Sequence, residues 1–392
     1  MSHKTVEPAL ELSVVVPTFN EAGNVLRLLD LLETALAGIA YEVIFVDDDS
    51  VDGTADLLLP VSRAHTNVRV LRRIGRRGLS SACLEGMLAS SAPHIAVMDA
   101  DLQHDERILP DMLRLAREQR LDVVVGSRNT EGGSMGEFSQ SRVSLSQYGR
   151  RLSEFVCRTS VSDPMSGFFL VDRKFLEEVV YRVSGIGFKI LVDLLASSAR
   201  PVRLGEVPYT FRSRFAGESK LDILVLLEYV ELLAHKLTGG LLPQRFLMFS
   251  LVGLFGFLVH INILSALEAW ADRPYREAFL VATLIAMTVN FFLNNIITYR
   301  DSRFRGAKEL AIGWSSFCVA CSLGAIFALL VAESLQSSIG SWIGASLFGV
   351  ALASVWNFGM TRLFTWGMLI RSRRRREAKR LVALTLNSPK AI

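Results

Sequence analysis

The sequence predicts an α/β half built on a mostly parallel sheet, followed by an all-α half of four transmembrane helices. Three observations carry that reading. Up to about residue 220, apolar runs alternate with charged, Gly-bearing segments, as strands and helices do in α/β proteins. Beyond about residue 245, Phe246–Leu267, Ala278–Tyr299, Leu310–Ala332 and roughly Trp342–Thr361 contain no Asp, Glu, Lys or Arg. Each is near the ~20 residues a helix needs to cross a bilayer core. Finally, polar clusters recur just after the apolar runs of the first half, as in "IAVMDADLQHD" (Ile95–Asp105).

Taken in order, "LSVVVP" (Leu12–Pro17) is a first strand, turning at Pro17–Asn20 into a helix with leucines at helical spacing. For the same reason the N-terminus is not expected to carry a signal peptide. "YEVIFVDDDSVDGTADLLLPV" repeats the arrangement, with strand Glu42–Val46, an acidic loop and a helix from about Thr54. "VRVLRR" is a third strand followed by the helix "GLSSACLEGMLAS". "HIAVMDAD" is a fourth, "RILPDMLRLAREQ" its helix, and "LDVVVGSR" a fifth strand. Such alternation gives parallel strands with helices on both faces, and ligands bind beyond the carboxyl ends of those strands. Pro17–Glu21, Asp47–Asp49, Arg72–Arg77, Asp99–Asp101 and Gly126–Arg128 therefore converge on one rim.

Several classes drop out. No GxGxxG follows the first strand, no GxxxxGK[ST] occurs, and Cys and His are not at zinc spacing. The formal net charge is only +4 on 392 residues, and no nucleic-acid partner is expected. Four cysteines give no disulfide framework; Cys318 and Cys321, inside the third apolar span, read as packing residues. What remains is an oxygen-donor pocket with arginines nearby. That combination suits Mg²⁺ or Mn²⁺ held by carboxylates and substrate phosphates, with the arginines on further phosphate groups.

In the second half the basic residues set an orientation. Arg300, Arg303, Arg305 and Lys308 follow the second span, and Arg371 and Arg373–Arg376 follow the fourth. The loop "ESLQSSIGS" after the third span carries none. An integral membrane protein with both termini and the α/β half in the cytosol is expected. "LDILVLLEYVELLAHK" (Leu221–Lys236) reads as an interfacial helix, or alternatively as one packed on the soluble half. The domain scheme is 1–220 soluble, 221–244 interfacial helix and linker, 245–370 transmembrane, and 371–392 basic tail. Asn290, Asn294, Asn295 and Asn357 within spans are read as helix–helix glue.

With "MDADLQ" come "PTFNE", "VDDDSVDGT", "GLSSA", "GSR", "DPMSGFF", "GFK" and "GESK", in that order. The set resembles the polyprenyl- (dolichyl-) phosphate mannose synthases among the inverting family-two glycosyltransferases, which have a GT-A fold. The four-span half, including "NNIITYRD" and "RLFTW", resembles the GtrA-type membrane domain joined to many of them. The resemblance implies a nucleotide pocket from Pro17, Phe19, Glu21, Val46 and Asp48, with Phe19 where the family usually has Tyr. It implies metal and diphosphate ligation by Asp99, Asp101 and Gln103, with Ala100 between the two carboxylates lining the donor site. Arg128, Arg142 and Ser146 are implied to hold the acceptor phosphate, while Lys189, Arg214 and Lys220 close over the donor. Asp99, Asp101, Arg128, Arg214 and Lys220 are the implied catalytic set.

The chain departs from the family in two places. "LQHD" replaces the usual "LQHPP", and "RRIGRRGLSSA" is unusually rich in Arg, either for the diphosphate or as a solvated face. "DPMSGFF" (Asp163–Phe169) reads equally as a site segment or a turn into a strand, and His104 and His235 read as bystanders. The reaction implied is inverting transfer of mannose from GDP-mannose to a membrane polyprenyl (dolichyl) phosphate, with Mg²⁺ or Mn²⁺. Its nucleophile is already anionic, so no strong general base is required. The alternatives are transfer from UDP-glucose to undecaprenyl phosphate, and a lipid-linked sugar carrier with a regulatory soluble half. A processive synthase would want QxxRW, and "QYGRR" lacks the Trp.

Overall fold

A computed structural model of the chain describes residues 9–134, 157–185, 187–212, 223–238, 245–271, 274–300, 302–339 and 342–369. The chain divides into two compact units, 1–242 and 243–392.

In the first unit the described strands are β1 (Leu12–Thr18), β2 (Tyr41–Asp47), β3 (Val68–Arg72), β4 (His94–Val97), β5 (Val123–Ser127), β6 (Phe169–Asp172) and β7 (Leu204–Pro208). They form one sheet in the order β3-β2-β1-β4-β6-β5-β7. Val14 of β1 lies opposite Val43 of β2 and Ala96 of β4, both in parallel register. Every residue of β1 is buried, as expected of a central strand covered on both faces, and hence its unbroken valine run. Alternation splits that run: Val15 joins Ile44, Val46 and Ile95 on one face, while Val14 and Val16 join Val43 and Phe45 on the other. Onto the second face α1 (Val25–Ala35) presses Val25, Leu28 and Leu32, at helical spacing. The helices α2 (Thr54–Ala64), α3 (Leu79–Ala89) and α4 (Leu109–Gln119) follow β2, β3 and β4 as the alternation predicts.

One strand matches an alternative of the sequence reading, a turn into a strand at "DPMSGFF", and one exceeds it. β6, the strand after "DPMSGFF", runs antiparallel between β4 and β5, pairing Phe169 with both Val97 and Val125. β7 pairs parallel with β5; its "LGEVP" is only half-buried and ends in proline, a pattern tolerated at an edge but carrying little strand signal. Beyond β6 come α5 (Arg173–Val179), α6 (Ile190–Ser197) and α7 (Ile223–Leu237). α7, the proposed interfacial helix, buries Tyr229, Leu232 and Leu233 in the core of the first unit. Its Lys236 Nζ lies 2.6 Å from Oδ1 of the fully buried Asp193 and donates to Ser197 Oγ at 2.8 Å, fastening α7 to α6.

The second unit contains α8 (Phe246–Ala271), α9 (Tyr275–Leu293), α10 (Ala307–Ile339) and α11 (Trp342–Met360). Among the described residues three stretches are long and apolar enough to cross a bilayer: Phe246–Ala269, Tyr275–Thr298 and Ala307–Ala328. The expected loop "ESLQSSIGS" is instead mostly helix, because α10 continues to Ile339. It contains no Pro, and Gly340 is its first strong helix breaker.

The unit is also internally repeated, which the sequence reading missed. After α9, Asn294–Thr298 forms a π-helical turn followed by Tyr299; after α11, Thr361–Thr365 forms another followed by Trp366. Asn294 Nδ2 donates to the Asn290 carbonyl, and Thr361 Oγ1 donates to the Asn357 carbonyl. A Cβ on Gly256 of α8 would collide with the Asn290 side chain, as one on Gly324 of α10 would with Asn357. The equivalent rings of Tyr299 and Trp366 stack with centroids 4.0 Å apart. Each helix pair thus packs Asn against Gly, where close backbone approach substitutes for the hydrophobic drive that lipid does not supply. Among these equivalent positions Gly256/Gly324, Asn290/Asn357, Phe291/Phe358 and Thr298/Thr365 are identical, too few to see in the sequence.

Candidate active site

β1 to β5 all point their carboxyl ends to one rim, and backbone bonds knit the clusters there. Asp48 N–H donates to Thr18 O, and Arg73 N–H to Asp47 O. β4 ends at Val97, so Asp99 and Asp101 fall in the turn beyond it. Asp101, 7% exposed, accepts the N–H of Gln103 at 3.2 Å. Between them Leu102 takes φ +65°, a left-handed conformation unusual for leucine, while Ala100 is buried beneath the turn. Such strain, of order 1–3 kcal/mol, persists only where surroundings fix it.

His104 supplies part of that fixation. Its Nδ1 accepts the Asp99 N–H at 3.1 Å, and its ring stacks on Phe168 at 5.1 Å with Tyr209 and Phe211 edge-on. Burial lowers its pKa to about 4, so the imidazole is neutral and keeps the acceptor lone pair. His104 thus touches the acidic turn through the Asp99 backbone. Gln103 Nε2 donates to the Arg212 carbonyl at 3.1 Å, which assigns Oε1 as the other end of the amide.

"DPMSGFF" closes over the carboxylates. A Cβ at Gly167 would sit 2.9 Å from Asp99 Oδ2, so only glycine leaves that carboxylate its place. Asp163, fully buried, grips Arg128 in a two-pronged pair of 2.7 and 2.9 Å, and the guanidinium also covers the Phe211 ring. Asp163 was not singled out as a site residue; its signal was the unexplained acid before Pro164. Lys189 Nζ donates to the Met165 carbonyl at 3.3 Å. Burial, then the Arg128 charge, bring its pKa down to about 8 against the pull of Asp99 and Asp163.

On the opposite part of the rim, Pro17 and Val46 are buried in the sheet, with Phe19 and Glu21 partly exposed. Asp48 is held in place by the protein: Oδ1 accepts from Arg73 and Oδ2 from Gly78 N–H, both at 2.6 Å. The arginine-rich segment resolves accordingly. Arg73 is buried on Asp48, Arg72 meets Asp49, Arg76 meets Glu85 twice, and Arg77 lies 4.3 Å over the Phe19 ring. Arg142, Ser146, Arg214 and Lys220 lie outside the described residues.

Among the described residues no three His, Cys, Asp or Glu side chains converge as a self-contained metal cage. Asp99, Asp101 and Gln103 lie together on the turn after β4 and offer two carboxylates and an amide oxygen as donor types. That fits Mg²⁺ or Mn²⁺, which take one or two carboxylates and complete their shells with water and substrate phosphates.

Residues 13–180 match Glycosyl transferase family 2, and residues 248–366 match the GtrA/DPMS transmembrane domain. The chain is similar to a dolichol-phosphate mannosyltransferase of Pyrococcus furiosus, 32% identical over 91% of this chain and 99% of that one. It is also similar to enzymes of the same name from Mycosarcoma maydis, 35% identical over 61% of this chain and 84% of the other. A third, from Saccharomyces cerevisiae, is 35% identical over 57% of this chain and 85% of its own.

Proposed function

The chain belongs to glycosyl transferase family 2, and from that premise we propose that it transfers mannose from GDP-mannose to a dolichyl or other polyprenyl phosphate. The observation that carries this reading is the similarity to a dolichol-phosphate mannosyltransferase running through both units, 99% of that relative's length. The GtrA/DPMS domain and its apolar helices make it a membrane protein. The catalytic unit and both termini are assigned to the cytosol from the basic loops.

In this reading Asp99, Asp101 and Gln103 would hold a divalent ion, which when bound would supply charge neutralisation for the departing nucleoside diphosphate. Lys189 adds a positive charge to the donor side, and Arg77 and Phe19 flank the nucleotide. Arg128 presents its remaining N–H groups, those not used by Asp163, to the acceptor phosphate together with Arg142 and Ser146. Arg214 and Lys220 close over the donor. The acceptor oxygen is anionic at neutral pH, so the protein's work is positioning and electrostatics rather than proton abstraction. In-line attack inverts the anomeric centre. The test is transfer by the full-length protein in detergent, with a polyprenyl phosphate and either GDP-mannose or UDP-glucose. Mannose transfer at least tenfold faster is expected; the reverse preference overturns the donor assignment.

The lowered pKa of Lys189 gives two slopes of opposite sign. Below about pH 8 the ammonium is charged and donor affinity is full; it falls as pH rises through that value. Stability without donor moves the other way. The folded pKa lies below the unfolded one, so the unfolded chain holds the extra proton from about pH 8 to the ordinary lysine value, and stability rises across that window. Donor titrations and thermal unfolding at pH 7 to 10 check both, and Lys189→Met removes both slopes.

A further inference from the structure

Asp105 and Glu106 follow the metal turn where no ligand role is assigned to them, yet both are buried. Their carboxylates converge on one side chain from far along the chain. Arg212 donates to Asp105 Oδ1 and Glu106 Oε2, each at 2.7 Å, and to Glu106 Oε1 at 3.3 Å. Asp105 also caps the short helix Glu106–Ile108 by accepting the Arg107 N–H, and it takes two bonds from the Arg107 guanidinium. The anchor for Arg212 is therefore itself rigid.

The main chain of Arg212 meets one residue twice. Its N–H donates to the Gln103 carbonyl at 2.9 Å, and its carbonyl accepts from Gln103 Nε2 at 3.1 Å. A carbonyl can only accept, so this contact decides which end of the Gln103 amide is nitrogen and leaves Oε1 as the uncommitted oxygen. The Gln103 backbone N–H is meanwhile held by Asp101. The ion pairs fix Arg212, and Arg212 fixes the amide. We propose that Arg212, anchored by Asp105 and Glu106, is a positioning residue that orients the Gln103 amide oxygen as a ligand for the divalent ion. This rests on the metal reading given under the proposed function. The arrangement is that of an outer partner orienting a metal ligand, whose loss ordinarily costs 10–100-fold in metal affinity.

The experiment is Mn²⁺ titration of the full-length protein, following free Mn²⁺ by electron paramagnetic resonance, with thermal unfolding run in parallel. Arg212→Met is expected to weaken Mn²⁺ binding about tenfold or more, and Arg212→Lys to restore part of that. Asp105→Asn, which keeps a capping side chain but loses the charge, is expected to weaken it by a smaller factor. In a Gln103→Ala background the Arg212→Met loss disappears, because the group it orients is gone. A merely structural role would leave that loss unchanged. Binding within twofold of wild type in Arg212→Met and Asp105→Asn overturns the inference, as does an equal loss in the Gln103→Ala background. If Arg212→Met does not fold, Arg212→Lys and Asp105→Asn decide. Wild-type binding abolished by Asp101→Asn but indifferent to Arg212 sinks this inference alone; a wild type that binds no Mn²⁺ sinks the metal reading and the inference together.

Discussion

Asp101→Asn lowers mannosyl transfer by roughly 10²-fold or more in full-length protein supplied with Mg²⁺ or Mn²⁺, the scale of losing one transition-state electrostatic partner. The substitution is nearly isosteric. An Asn side-chain oxygen still accepts the Gln103 N–H that Asp101 holds in the native turn, so the strained Leu102 conformation has its local support. What is removed is one negative charge at a nearly buried position. The loss is therefore expected in transfer and in metal affinity, with the thermal unfolding temperature within a few degrees of wild type. Chelation by EDTA abolishes transfer by the unaltered protein. Undiminished transfer in EDTA, or an active Asp101→Asn protein, refutes the metal reading.

Arg128→Met is expected to destabilise the first unit strongly. It strips the partner from Asp163, a carboxylate with no exposed surface, and an uncompensated buried charge costs about 3–5 kcal/mol. A large fall in unfolding temperature is expected together with loss of transfer. The double variant Arg128→Met/Asp163→Leu separates the two roles of the guanidinium. Replacing a buried pair by apolar groups is often neutral, so stability returns. Transfer does not return if Arg128 also receives the acceptor phosphate. Recovery of both would make Arg128 a structural residue and move the acceptor site elsewhere.

The legible part of the site was the part encoded by short-range pattern. "IAVMDADLQ" announced a buried strand ending in two acids, and the register of β1, β2 and β4 carries Asp99 and Asp101 to the same rim as Pro17 and Asp48. How the acids are held was not legible. Asp163 and Arg128 are 35 residues apart, and Arg212 lies 107 residues from Asp105. Nothing in either local sequence names its partner. The same holds for Asp48, whose oxygens accept from Arg73, 25 residues away, and from the Gly78 N–H, 30 residues away. His104 read as a bystander because stacking on Phe168 leaves no periodic trace.

By itself the sequence determined the two-part architecture, the order of the first five strands, the acidic turn and the membrane-compatible helices. These follow from hydrophobic periodicity and the absence of charge, which are properties of consecutive residues. Only the tertiary structure decided the antiparallel β6, the edge strand β7, the fastening of α7 to Asp193 and the paired Asn–Gly contacts of the second unit. It also decided which ionisable groups at the rim are spent on one another. The departure at Asp105, where the family usually has proline, is in the fold a cap and an anchor for Arg212. Charge pairing acts through space between groups that the chain brings together only after the sheet has formed, so it is written in the fold rather than in any stretch of sequence.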